Sequence, residues 1–229
     1  MRIPAGDNML DTEEVSRDVA KLLARMWSKD PGSRPRLIFP LTRDGKTRVS
    51  EQESKVLFTQ WLERNGFTYS IEAPTSETYQ QSGKTKLSGR TDVAVYDSQD
   101  PPNRVLNIEL KSGKPKSESF RKDFEKLLRE GTQGLWFHTL TKAAADDWTE
   151  LEEKIRESLG VWATDPLKDL TIAIRDARHS IHFVFCVLDT GSIKREFTIH
   201  FPDDWDGQLS RGFGSPRSIG VITSANLPG

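Results

Sequence analysis

The sequence predicts an α/β fold, a mixed central β-sheet flanked by helices, on three observations. Short runs rich in β-branched and aromatic residues (Phe67–Ala73, Val93–Tyr96, Val105–Leu110, Gly134–Leu140) read as strands. Between and before them, apolar residues recur at the three-and-four spacing of amphipathic helices. Turn signals separate the segments, so from Ser50 onward the order is helix, strand, strand, strand, helix, strand.

Size and charge bound the function. The chain has 229 residues, 35% hydrophobic and 29% charged, with a net charge of -1. That suffices for one buried core with elaborations. A chain so balanced is no polycation, and any nucleic acid would have to meet a local basic face. The single cysteine, Cys186, lies in the apolar run Ile181–Leu188, which suits an inert buried thiol. No apolar signal core opens the chain and no stretch has membrane-span length. A cytoplasmic protein without membrane contact is the expectation.

In chain order, Met1–Met9 reads as disordered. Asp11 or Thr12 can cap a helix with Glu13 and Glu14 in its first turn and a stripe of Val15, Val19, Leu22, Leu23, Met26 and Trp27. Pro31, Gly32 and Pro35 end it, and Leu37–Phe39 is a short strand or a tucked loop. A basic connector, Thr42–Val49, leads to a second helix from Ser50, where Ser50 and Glu53 form a capping-box pattern and Gly66 stands past the end. Phe67–Ala73 is a strand closed by Pro74, and Thr75–Ser88 a polar, flexible loop. Within it Ser82-Gly83-Lys84-Thr85 is not a phosphate loop, because Thr78 stands where the first glycine belongs and a strand follows instead of a helix.

Gly89–Gly113 carries the chemistry. Its two strands, joined by a turn at Ser98–Asn103, hold ionisable residues where strands are usually apolar: Asp92, then Glu109 and Lys111. Alternation puts Glu109 and Lys111 on one face with Val105 and Asn107, while Leu106, Ile108 and Leu110 point the other way. Buried charges must be paired or must ligate a metal. Two readings are open: an exposed Glu–Lys pair with Asp92 as a turn residue, or a site where carboxylates hold a hard cation. The Asp, gap, Glu-x-Lys pattern, with a glutamate-bearing helix upstream, resembles the PD-(D/E)xK nuclease superfamily over roughly Val49–Leu140. Thr91 stands where that family usually has proline.

The resemblance implies a restriction-endonuclease-like fold, Mg²⁺ or Mn²⁺, and hydrolysis of phosphodiester bonds. Asp92, Glu109 and the backbone carbonyl of Leu110 would ligate the metal, with Lys111 serving the attacking water. A helix glutamate, Glu53 or Glu51, would join them; Glu53 is favoured because it shares a face with Leu57 and Trp61. It further implies a nucleic-acid partner, DNA ahead of RNA, a homodimer or an association with another component of a prokaryotic defence, restriction or repair system. Residues 1–49 would be an N-terminal helical extension and connector, 50–201 the nuclease-like core with added helices and a hairpin, and 202–229 a tail.

Past the site, Lys114 and Lys116 precede a helix over Ser117–Arg129 whose stripe is Phe120, Phe124, Leu127 and Leu128. With Arg121, Lys122, Lys126 and Arg129 they form the most basic segment, suited to backbone phosphates, as Lys84, Lys86 and Arg90 are from the preceding loop. After the Gly134–Leu140 strand come a helix from about Ala143 to Leu159, another near Pro166–Ala177, and two strands flanking the hairpin signal Asp189-Thr190-Gly191-Ser192. His138 reads as a structural strand histidine, and His179, His182, Cys186 and His200 as no zinc site. The tail is rich in glycine and proline, with a strand at Ile219–Thr223. Two further function classes compete with the nuclease: a catalytically silent nucleic-acid-binding or assembly module on the same fold, and a small-molecule enzyme, for which no glycine-rich cofactor loop or nucleophile elbow is present.

Overall fold

Among the described residues, six strands form one mixed sheet in sequence order, with helices on both faces. A computed structural model describes residues 10–28, 37–79, 87–164, 179–201 and 205–214. Helices α1 (Thr12–Ser28) and α2 (Glu51–Arg64) precede strands β1 (Thr68–Tyr79), β2 (Leu87–Tyr96) and β3 (Arg104–Ser112). Helix α3 (Ser117–Arg129), β4 (Gln133–Leu140), α4 (Ala145–Thr164), β5 (His179–Val187), β6 (Ser192–Phe201) and α5 (Trp205–Gly214) follow. The pairs β1–β2, β2–β3 and β5–β6 are antiparallel, whereas β3–β4 and β4–β5 are parallel.

The alternation expected for Val105–Leu110 decides which layer each residue meets. Leu106, Ile108 and Leu110 join Leu135, Phe137, Val184 and Cys186 under α1 and α2. On the opposite face Trp136, Phe183 and Phe185 pack with Phe120 and Phe124 of α3, with α4 and with α5. Glu109 and Lys111 stand beside Trp136 and His138 in the ladder and so belong to this second face.

The helix caps follow the sequence. Asp11 Oδ1 accepts from the amides of Glu13 and Glu14 at 2.9 and 3.2 Å. Ser50 and Glu53 close the capping box, Glu53 Oε2 accepting from the Ser50 amide at 3.1 Å and from its hydroxyl at 2.7 Å. Helix α1 packs its stripe onto the core: Val15, Val19 and Leu23 are fully buried. Trp61 of α2 donates to Asp18, and Trp27 to Asp189 in the β5–β6 turn.

Two expectations need correction. The polar loop expected over Thr75–Ser88 is strand at both ends, with Thr78 opposite Ser88 and Tyr79 opposite Leu87. Ladder bonds are made by backbone, which is indifferent to side-chain polarity, and Pro74 is tolerated because β1 is an edge strand. The tail opens with a helix, α5, whose Leu209 and Phe213 complete the second core; the i, i+4 pair was the signal, hidden by neighbouring glycines. Of the two alternatives for Leu37–Phe39 the tucked segment is the one found, with Phe39 buried and its ring centroid 5.9 Å from that of Trp27. The expected disordered start, the Pro166–Ala177 helix and the Ile219–Thr223 strand lie outside the described residues, as do Lys84 and Lys86.

Candidate active site

The β2–β3 hairpin brings Asp92 beside the end of β3. Its Oδ2 accepts from the amide of Leu110 at 2.9 Å, so Asp92 lies against the backbone between Glu109 and Lys111. Glu109 is 1% exposed and Lys111 8% exposed, which rules out the exposed Glu–Lys pair. Helix α2 arrives from the other layer with its N-terminus at the carboxyl ends of β3 and β4, where Ser54 Oγ meets Thr139 Oγ1 at 3.1 Å. Ligands of open α/β sheets gather at such strand ends.

Of the two helix glutamates, Glu51 reaches this cluster and the favoured Glu53 does not. The Glu53 carboxylate is turned to the cap and is held by Ser50. Glu51 accepts from the amide of Ser112 and lies 3.9 Å from Lys111 Nζ. Burial raises its pKa, Lys111 opposes the rise, and the negative charges of Asp92 and Asp123 add to it.

Lysines interleave the carboxylates. Lys55, one turn after Glu51, pairs with Asp92 at 2.9 Å and with Glu72. Lys111 pairs with Asp123 of α3 at 2.6 Å. Lys126, also on α3, lies 2.7 Å from both oxygens of Glu109 and 2.8 Å from Asp123. Five carboxylates (Glu51, Glu72, Asp92, Glu109, Asp123) thus meet three ammonium groups. Burial pushes the Glu109 carboxyl well above the usual range; Lys126 opposes this, while Asp123 and Asp92 reinforce it. For Lys111, burial alone would lower the pKa, but Asp123 and then Glu51 and Glu109 more than offset it. Glu72 has φ 50°, a left-handed conformation that no other non-glycine adopts among the described residues, and strain of this kind concentrates at functional sites.

The residue types fit a hard divalent cation, since every donor that converges is a carboxylate oxygen. Glu109 Oε1 is buried with no hydrogen bond of its own. Among the described residues, however, no three acidic, histidine or cysteine side chains stand together as a ready cage. The carboxylates face lysines.

Lys55, Glu72, Asp123 and Lys126 were not among the expected site residues. For Asp123 a signal existed: it occupies an i+3 position in the Phe120, Phe124, Leu127 stripe, where a charge signals a partner. Lys126, expected on the basic surface, is buried, and Arg129 pairs with Glu125 at 3.1 Å. Lys114 pairs with Asp147. Arg90, Lys116, Arg121 and Lys122 are exposed.

His138, His182 and Cys186 are buried. His138 is buried, its Nε2 2.7 Å from the carbonyl of Gly113, and burial lowers its pKa to about 4. Gly113 itself turns the chain out of β3 at φ 66°, a conformation suited to glycine. His182 contacts Thr198 and Glu196. Burial pushes the Cys186 thiol up to about 12. No helix among the described residues is long and apolar enough to cross a membrane. No family model, curated protein or solved structure matches the chain.

Proposed function

We propose that the chain is a metal-dependent nuclease that hydrolyses phosphodiester bonds, with DNA the preferred substrate, on a restriction-endonuclease-like core spanning α2 to β4. The observation that carries the reading is the convergence of Asp92, Glu109 and Lys111 with Glu51 at the carboxyl end of β3. The order α2-β1-β2-β3-α3-β4, three antiparallel strands and then a parallel one, supports the core.

Asp92, Glu109 and Glu51 would hold Mg²⁺ or Mn²⁺, with the Leu110 carbonyl beside them. When bound, the ion would supply Lewis-acid polarisation of the scissile phosphate. Lys111, held by Asp123, would present its ammonium to the attacking water and to charge developing on the phosphate. Exposed Arg90, Lys116, Arg121 and Lys122 would take backbone phosphates, with affinity that falls as salt rises. A homodimer would supply the two sites needed for duplex cleavage.

A specific observation favours the second reading, a silent nucleic-acid-binding or assembly module: the converging carboxylates already face lysines. Incubation of plasmid, linear, branched and single-stranded DNA and of RNA with Mg²⁺, Mn²⁺ or EDTA separates the two. The nuclease reading expects metal-dependent cleavage that Asp92→Ala and Lys111→Ala reduce by about 10²–10³-fold or more. Glu51→Gln should impair it and Glu53→Gln should not. Nucleic-acid binding without Mn²⁺ binding in calorimetry, or full cleavage by Asp92→Ala, would overturn it.

A further inference from the structure

Helix α3 carries Lys126 inward, so that it is only 6% exposed. Its Nζ contacts the Glu109 carboxylate at 2.7 Å, Asp123 Oδ1 at 2.8 Å and the carbonyl of Arg90, to which it donates, at 2.9 Å. An ammonium has three protons, and here three oxygen-bearing groups from β2, β3 and α3 surround it. Glu109 Oε1, almost fully buried, has the ammonium beside it but no hydrogen bond, so the lysine leaves one acceptor of the nest unsatisfied. That is the coordination sphere of a hard cation, all oxygen and mostly anionic, filled by a side chain.

We propose that Lys126 is a tethered stand-in for a divalent cation: Glu109, Asp123 and the Arg90 carbonyl form an internal cation site, and removing the ammonium converts it into a site for a divalent ion of the Mn²⁺ or Ca²⁺ class. The oxygens already share one centre. Moving from N–H···O separations to Ca²⁺–oxygen distances of about 2.3–2.6 Å needs only a small contraction. Lys111 pairs with the same Asp123 and keeps that carboxylate anchored when Lys126 is gone. The inference rests on the nuclease reading only for the number of ions the unaltered chain binds.

The test is a count of bound Mn²⁺, by calorimetry and electron paramagnetic resonance, on the full chain. Lys126→Met should bind one ion more than the unaltered protein. Lys126→Arg, which keeps the charge, should bind no extra ion, and Lys126→Met with Asp123→Asn should lose the extra one. A rise from one ion to two agrees with the nuclease reading as well, whereas a rise from none to one keeps the tethered cation and removes the metal from that reading. Equal counts in Lys126→Met and the unaltered chain overturn the proposal, as does an extra ion that survives Asp123→Asn. If Lys126→Met melts early without metal, Mn²⁺ should raise its midpoint far more than it raises that of the unaltered protein; a variant unfolded with and without Mn²⁺ also overturns the proposal.

Discussion

Helix α3 covers two patches of one sheet face, and they are opposites. Toward its stripe, Phe120 stacks on Trp136 at 5.1 Å between ring centroids, Phe124 tilts against the same ring at 4.4 Å, and Phe183 closes the group. Alongside, on the same helix and on the neighbouring strand β3, Asp123, Lys126, Glu109 and Lys111 form a buried chain of alternating charge. The patches touch where Lys111 Nζ lies 5.8 Å from the Trp136 ring centroid. Burial is almost equal, but its consequence is not. Removing aromatic surface from water stabilises the fold directly. Removing four charges from water carries a desolvation penalty that their mutual attraction repays only with good geometry. A patch of this kind adds little to stability, which is why it points to chemistry.

The contrast can be broken from either side. The largest effect should come from the aromatic patch: Trp136→Ala should lower unfolding free energy by about 3–5 kcal/mol, read from urea midpoints. A loss below about 1 kcal/mol would mean the aromatic patch is not the support described.

The next effect is in pH, at the seam where His138 joins Phe120 and Trp136 to the Gly113 turn. Its folded pKa of about 4 lies below the ordinary 6.5, so the folded state binds its proton less readily than the unfolded chain. The contribution is therefore fully present above about pH 6.5 and lost as pH falls toward 4, by about 3 kcal/mol. Comparing the unaltered protein with His138→Gln, the difference in stability should carry this slope. Parallel pH profiles would show that the ring is not held neutral.

The smallest effect on stability should come from the charged patch when it is replaced whole. Glu109→Leu, Lys111→Met, Asp123→Leu and Lys126→Met together should leave stability level or higher, because an apolar replacement of similar volume avoids the desolvation penalty. A large loss would mean the charges hold the fold, and the case for a functional cluster would weaken.

Much of the architecture is legible in the sequence. The capping box at Ser50, the stripe on α3, the alternation along β3 and the hairpin signal at Asp189–Ser192 are local patterns, and local patterns set local structure. Period alone puts Leu110 and Glu109 on opposite faces. The site is legible in part: Asp92, Glu109 and Lys111 gather, yet face-sharing points to Glu53 where the structure brings Glu51. The capping box and the inward face competed for Glu53, and the cap, the nearer partner, holds it. The helix Trp205–Gly214 is not legible in the sequence, because its glycines outweigh one apolar pair.

What the sequence by itself determined is the set of elements, their order, and which charged residues sit on strands that become buried. Only the tertiary structure decided which charges meet. Lys55, Asp123 and Lys126 come from two helices on opposite layers, and no spacing rule links them to Asp92 or Glu109. Local patterning acts through neighbours in sequence, whereas pairing of buried charges is set by which side chains the packed layers bring within a few ångströms, where low polarity leaves each charge no partner but another.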